Sequence, residues 1–388
     1  MLSSRARTAL VAYLLLLQFL YAWAWSSSDV LRPLFRRLYN LTLAEAGTAY
    51  SAQVVGALVG GLLFGRVEHF CGRRITLAMI GVGCGSILAA GVLVESWVSL
   101  VAQRAVLGVF MGAVFPVTVG LMLDLFPANS RGRFASMIDA TYFLAVVALG
   151  WTAAAWVEID WRRLFWPVGT VLVCVGLSAF LLILPHHPDD PPSQAPRARD
   201  LFGPTLRRRT IALTAMIGAN ACGHQAFTGW LTLYLREVDG VSHSAVAATL
   251  SAQYCGSIIG CFAWGFIVDH WGRRMGAFGF LAAGLFSALF VLLPGPFWAK
   301  QVAAFGFGFA FAAVVTLGPW LAELYPPALR GPATSIFQWG RFISLVVPPV
   351  SGAIAATLGL TVVMVMATAA FVVSALIWRS LPETHYRQ

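Results

Sequence analysis

Twelve apolar runs of about 20 residues constrain this chain more than any other feature. They lie at 9–29, 47–69, 75–94, 98–123, 134–157, 164–184, 211–235, 245–269, 275–293, 297–322, 332–358 and 360–381. A helix rises about 1.5 Å per residue, so about 20 such residues cross roughly 30 Å of hydrocarbon. Composition points the same way. Hydrophobic residues make up 59% of the chain and charged residues 11%, against about 25% charged in a soluble domain. A water-facing globule is excluded, and so is intrinsic disorder, which needs low hydrophobicity. The predicted class is an all-α polytopic membrane protein with twelve transmembrane helices in two pseudo-symmetric six-helix bundles.

The runs fall as six, a polar break and six. The break begins at His186-His187-Pro188-Asp189-Asp190-Pro191-Pro192 and continues through Arg197 and Arg199 to Arg207-Arg208-Arg209. Proline and charge exclude it from lipid. The expected organisation is a bundle over 1–184, a cytoplasmic linker over 185–208 and a second bundle over 209–388. Arg5 and Arg7 precede the first run as they would in a signal peptide, but its length and the eleven runs behind it make an uncleaved helix.

The net charge of +10 comes from 26 Lys+Arg against 16 Asp+Glu. These cations are spread through loops and form no single patch, which argues against nucleic acid as a partner. With both termini inside, the inside loops carry more than twice the Lys and Arg of the outside loops, as the positive-inside rule requires. The expected location is a bacterial inner membrane with cytoplasmic termini. Six cysteines, at 71, 84, 174, 222, 255 and 261, form no CxxC pair. They read as buried inert thiols, with no metal site or disulfide framework.

The two halves share a register of 200 residues. Ser51-Ala52-Gln53 recurs as Ser251-Ala252-Gln253. Gly56, Gly60 and Gly65 recur as Gly256, Gly260 and Gly265, and Gly72-Arg73-Arg74 recurs as Gly272-Arg273-Arg274. Offset by 199, Asp124-Leu125-Phe126-Pro127 with Arg131-Gly132 parallels Glu323-Leu324-Tyr325-Pro326 with Arg330-Gly331. Parallel repeats of this kind build transporters. The GxxxG pairs Gly56/Gly60 and Gly256/Gly260 predict close helix contacts.

The segment Gly265-Phe266-Ile267-Val268-Asp269-His270-Trp271-Gly272-Arg273-Arg274 resembles the loop signature of the major facilitator superfamily, G-x-L-x-D-R-x-G-R-R. The Asp/Glu…Pro…Arg-Gly segments and Gln103-Arg104 with Gly108 resemble further elements of that superfamily, especially of its sugar porters and organic-acid symporters. The resemblance covers nearly the whole chain. It implies alternating access and no enzymatic activity. It also implies gating pairs at helix ends among Arg73, Arg74, Asp124 and Arg131 in the first half, and Asp269, Arg273, Arg274, Glu323 and Arg330 in the second. The first signature departs from the pattern, with His69 and Phe70 where Asp and Arg are expected. Glu68, one residue away, is the available substitute.

Ionisable groups inside spans are costly, by about 2.5–3.5 kcal/mol on insertion scales, so each is a candidate for function. Arg104, in the fourth span, matches an arginine that, by the resemblance, lines the cavity or serves proton coupling; the alternative is a side chain that extends outward to the interface. Arg341 lies about 15 Å into the eleventh span, near the midplane, with Gln338 one turn earlier and Trp339 adjacent. A guanidinium there suits bidentate carboxylate binding or pairs with an acid of another helix. Asp139 shares a face with Tyr142 and is a candidate proton carrier, or a fixed partner of an arginine. Asp29 closes the first span and either serves coupling or pairs with Arg32. In the seventh span Asn220 and His224 share a face beside Gln225, and His224 is placed to titrate near neutrality or to bond a neighbouring helix.

The expected substrate-binding set is therefore Arg341, Arg104, Asn220, Gln225, Tyr142, Gln338 and Trp339. The expected proton-coupling set is Asp139, His224 and Asp29. No cofactor or metal is expected; the partners are a small molecule, protons and the bilayer, with the protein a monomer. The fifth span lacks the Gly-Pro motif of many drug antiporters, and no phosphate-cradling loop occurs. Proton-coupled uptake of a small organic anion, a carboxylate or aromatic acid, is the preferred function. Efflux of amphipathic compounds and a non-transporting sensor with a transporter fold stand as alternatives.

Overall fold

A computed structural model describes residues 4–114, 128–183, 198–326 and 342–384, with positions 117, 118, 121, 329, 333 and 336 between them. The described elements are helical, and no strand occurs among them. Eight described helices are long and apolar enough to cross a membrane, and three shorter apolar ones accompany them. Large apolar side chains point outward along them, Leu181 at 87% and Leu62 at 78% exposure. That is the surface of a protein whose solvent is lipid.

The chain divides into two compact units, Met1–Asp190 and Pro191–Gln388. The first holds α1 (Ser4–Val30), α2 (Arg32–Leu38), α3 (Leu43–Ala89), α4 (Trp97–Met111), α5 (Ala128–Asp160) and α6 (Trp166–Leu182). There α3 packs on α4 and α6, and α1 packs on α5. The second holds α7 (Arg207–Glu237), α8 (His243–Trp271), α9 (Gly276–Leu292), α10 (Phe297–Phe311), α11 (Leu317–Leu324), α12 (Val347–Leu358) and α13 (Leu360–Ser380). There α8 packs on α10, α7 on α13, and α9 on both α10 and α13.

Local sequence sets the ends. Thr42 and Glu45 form a capping box, each side chain accepting the other's backbone N–H, and start α3. Ser96 and Ser99 do the same for α4. The second and third apolar runs form one long helix interrupted at Gly72, with φ 75° and ψ 164°. Gly272 ends α8 with φ 96° and ψ 158°. Only glycine occupies that region at ordinary cost, so the repeated Gly-Arg-Arg is a repeated backbone break.

The glycine repeat makes the same contacts twice. A Cβ on Gly56 or Gly60 would strike the carbonyls of Ala105 and Val109, and one on Gly256 or Gly260 those of Phe305 and Phe309. A Cβ on Gly108 would strike the Gln53 carbonyl, and one on Gly308 that of Gln253. Every partner keeps the 200-residue register.

The run 297–322 forms one candidate span, Phe297–Leu321, with a 3-10 turn at Ala312–Thr316 between α10 and α11. One expectation needs correction: the thiols are not uniformly buried. Cys84 and Cys261 are, whereas Cys71, Cys174 and Cys255 are exposed, because an apolar surface meant for lipid accepts a thiol as readily as a core does.

Candidate functional site

One turn of α1 organises the polar interior of the first unit. The guanidinium of Arg104, wholly buried, donates from Nη1 to Ser27 Oγ at 2.8 Å and to the Ala24 carbonyl at 3.3 Å. It lies over the Phe165 ring, 5.2 Å from its centre. Among the described residues its Nε and Nη2 have no partner. The side chain therefore stays inside the unit and does not reach for the interface. Asp29 accepts from Arg32 at 2.5 Å, and its charge also acts on Arg104. Gln53 Nε2 donates to the Trp25 carbonyl at 3.2 Å. Ser26 Oγ and Tyr142 Oη are 3.2 Å apart, which links α1 to α5. Trp25 stacks on Tyr21, with centroids 5.9 Å apart, and meets Tyr50 edge-on. A cation with two open N–H groups beside the flat face of Phe165 can hold a carboxylate and an attached apolar body.

Asp139 lies half-buried on α5, one turn before Tyr142. In the second unit Asn220 is buried, and its Nδ2 has no partner among the described residues. Half-buried His224, one turn on, packs its ring on Phe311 with centroids 4.6 Å apart. Gln225 is buried against Gly229, where a Cβ would meet its amide. Gln338, Trp339, Arg341, Asp124 and Arg330 lie outside the described residues, as does the side chain of Arg131.

At the signature ends the two units differ. Arg73 donates to Glu68 at 3.0 Å. Arg74 lies over the Phe180 ring and donates to the Phe180 carbonyl. In the second unit Arg273 bonds Glu323 twice, at 2.6 and 3.1 Å, and Asp269 at 2.6 Å. Glu323 also accepts from Thr384 Oγ1 at 2.5 Å. Glu383 accepts the backbone N–H groups of Arg273 and Arg274 at 2.9 and 3.0 Å, and Arg274 Nε donates to the Leu381 carbonyl at 2.9 Å. Burial alone would raise the Glu323 carboxyl. The hydrogen bonds from Arg273 and Thr384 and the Arg273 charge outweigh it and hold the group below its ordinary value.

Sequence reasoning missed Ser27 as the partner of Arg104, and Glu383 and Thr384 as part of the second signature end. Three consecutive serines in an apolar run were a signal for the first. An acid and a hydroxyl just past the last span, after a helix-stopping proline, were a signal for the others.

Comparison with known proteins gives consistent results. The family model described as Major Facilitator Superfamily matches residues 14–344. The chain is 24% identical over 351 residues to the cis,cis-muconate transport protein of Acinetobacter baylyi, covering 82% of this chain and 80% of that one. It is 25% identical over 234 residues to the 3-(3-hydroxy-phenyl)propionate transporter of Escherichia coli, covering 60% and 57%. Its fold is similar to a bacterial homologue of the human lysosomal transporter Spinster, solved in an inward-facing, unoccupied conformation, with a TM-score of 0.78, 16% identity and 97% of each chain covered.

Proposed function

The chain belongs to the Major Facilitator Superfamily and is a membrane transporter rather than an enzyme, and from that premise we propose that it takes up a small organic anion together with protons. Two six-helix bundles would alternate access, with both termini in the cytoplasm, in a bacterial inner membrane. The observation that carries the reading is Arg104: a fully buried guanidinium, held by one N–H edge and open at the other. A buried cation with open donors is unfavourable unless something anionic completes it. A carboxylate presents two oxygens in the matching geometry. The substrates named for the muconate and hydroxyphenylpropionate relatives are carboxylic acids.

Coupling follows from competition. Asp29 and a substrate carboxylate both attract Arg104. A proton on Asp29 removes the rival charge and frees the cation for the substrate. Asp139 and His224 are the further carriers to test, each half-buried in its own unit, and Arg341 is the second candidate cation. The test uses purified protein in proteoliposomes. Uptake of labelled cis,cis-muconate or benzoate should rise with an inward proton gradient and collapse with an uncoupler. Uptake indifferent to both treatments contradicts coupling, and export of the acids against the gradient favours the efflux alternative.

A further inference from the structure

The first arginines of α7 and the last of α13 stand at one end of a helix pair whose outer face is apolar. Helices α7 and α13 pack on each other within the second unit. Ser374 Oγ donates to the Met216 carbonyl at 2.9 Å, and a Cβ on Gly223 would meet the Phe371 ring and the Ala367 carbonyl. Later residues of α7 thus meet earlier residues of α13, so the pair is antiparallel. Ile211 precedes Met216 by as many residues as Arg379 follows Ser374, which brings Arg379 level with the start of α7. This is the signature end of the unit, because Trp378 Nε1 donates to the Arg273 carbonyl at 3.0 Å.

On α7 the exposed Ile211 follows the exposed Arg207 and Arg208 by one turn. On α13 the exposed Leu376 precedes the exposed Arg379 by one turn. Residues three and four apart share a helix face, so each lipid-facing stripe ends in arginine. The guanidinium groups of Arg207, Arg208 and Arg379 have no partner among the described residues. The neighbouring carboxylates are engaged: Glu383 by the backbone N–H groups of Arg273 and Arg274, Glu323 by Arg273 and Thr384. At the opposite end of the unit, by contrast, Lys300 is neutralised within the protein by Asp239 at 2.6 Å. The positive-inside rule calls for cations on one side of a membrane. It does not call for cations left unpaired at the ends of two packed lipid-facing helices.

The next two residues of α7 turn inward. Arg209 Nη1 donates to the Leu324 carbonyl. Thr210 Oγ1 donates to the carbonyl of the buried Leu201 at 2.7 Å and lies 2.8 Å from Tyr325 Oη. The start of α7 therefore grips the end of α11, the helix that carries Glu323.

We propose that the paired ends of α7 and α13 bind an anionic phospholipid, its phosphate at Arg207, Arg208 and Arg379 and its acyl chains along the faces of Ile211 and Leu376. The bound lipid steadies the signature end of the second unit through Arg209 and Thr210. Charge complementarity selects the headgroup. The apolar stripes select a lipid over a soluble anion, which gains nothing from them. The site is independent of what the protein transports.

The test uses the purified full chain in detergent, with dioleoylphosphatidylglycerol or with dioleoylphosphatidylcholine, which has the same chains and no net charge. The anionic lipid should raise the apparent Tm by several degrees more than the neutral one, because a ligand of the folded state stabilises it. Glycerol 3-phosphate at the same concentration should add nothing. Replacing all three cations, Arg207→Gln with Arg208→Gln and Arg379→Gln, should remove most of the difference between the lipids. An equal loss of charge in the first unit, Arg37→Gln with Arg162→Gln and Arg163→Gln, should leave it in place. Equal stabilisation of the unaltered protein by both lipids overturns the proposal. So does a difference that survives the first set of substitutions, or one that both sets reduce equally, which would mean diffuse attraction. Stabilisation by glycerol 3-phosphate equal to that by the lipid overturns it in favour of a soluble phosphate ester. A phosphatidylglycerol with a photoactivatable acyl chain decides without any variant. Its cross-links should fall near Ile211 and Leu376 and be displaced by unlabelled phosphatidylglycerol but not by phosphatidylcholine. Cross-links elsewhere, or displaced equally by both lipids, contradict the proposal.

Discussion

The two halves of this protein share a skeleton and spend their charge differently. In the second half the charge gathers at the signature end. Arg273 joins Asp269 and Glu323, while Thr384 and Glu383 close over them from the last described segment. The first half has one described pair there, Arg73 with Glu68, both about a third exposed. Its strongest commitment is deep instead, at Arg104 on the Ala24–Ser27 turn. The second half has alanine at the matching position. A duplicated helix scaffold tolerates such divergence because the glycine crossings that hold it involve backbone atoms. Side chains elsewhere are then free to diverge, into an ion-pair cluster at one end of the second half and a buried cation inside the first.

The comparison breaks most visibly if the shared skeleton is attacked. Gly108→Leu and Gly308→Leu drive side chains into the Gln53 and Gln253 carbonyls. Backbone cannot yield there as a flexible side chain would, so the cost exceeds the usual overpacking range of about 1–3 kcal/mol. Both variants should fail to yield monodisperse protein by size-exclusion chromatography. A well-folded variant in one half alone would show that the two crossings are not equivalent.

Glu323→Gln comes next. It removes a bidentate, charge-assisted partner from Arg273, with the pair only 14% and 21% exposed. The expected loss is about 1–2 kcal/mol, read as a fall of several degrees in apparent Tm in detergent. The effect should also depend on pH. The Glu323 carboxyl lies below its ordinary value of 4.5 in the folded protein. Its contribution is therefore complete above that ordinary value and is lost as pH falls through the lower folded value. The Tm gap between Glu323→Gln and the unaltered protein should stay constant from pH 7 to about pH 5 and close only in stronger acid. A gap that closes near neutrality would mean another group governs this end.

The smallest effect belongs to the first half. Glu68→Gln removes a partly exposed pair, expected to contribute well under about 1 kcal/mol, so Tm should shift by a degree or so. A loss as large as that of Glu323→Gln would show that the first signature end is as tightly fastened as the second.

Apolar run length gave the membrane class, and the 200-residue register gave the doubled glycine contacts, because both rest on backbone geometry that local sequence encodes. The recurrence of Gly72 and Gly272 was readable too, whereas the positive-φ break that each makes is a finding of the structure. The wiring was less legible. That Arg104 would bond Ser27 depends on how α4 crosses α1, a packing choice no single span contains. The pairing of Thr384 with Glu323 joins residues 61 apart, and the capping of Arg273 by Glu383 joins residues 110 apart. Glu68 as the partner of Arg73 is five residues away and was visible as the nearest acid to a missing Asp.

The central claim is that Arg104 takes the anion, and direct binding tests it without relying on transport. Purified unaltered protein and Arg104→Gln are titrated calorimetrically with benzoate and with benzamide, its neutral amide. The unaltered protein should bind benzoate at least tenfold more tightly than benzamide, and Arg104→Gln should lose that difference while remaining folded. Benzoate affinity unchanged in Arg104→Gln would contradict the claim.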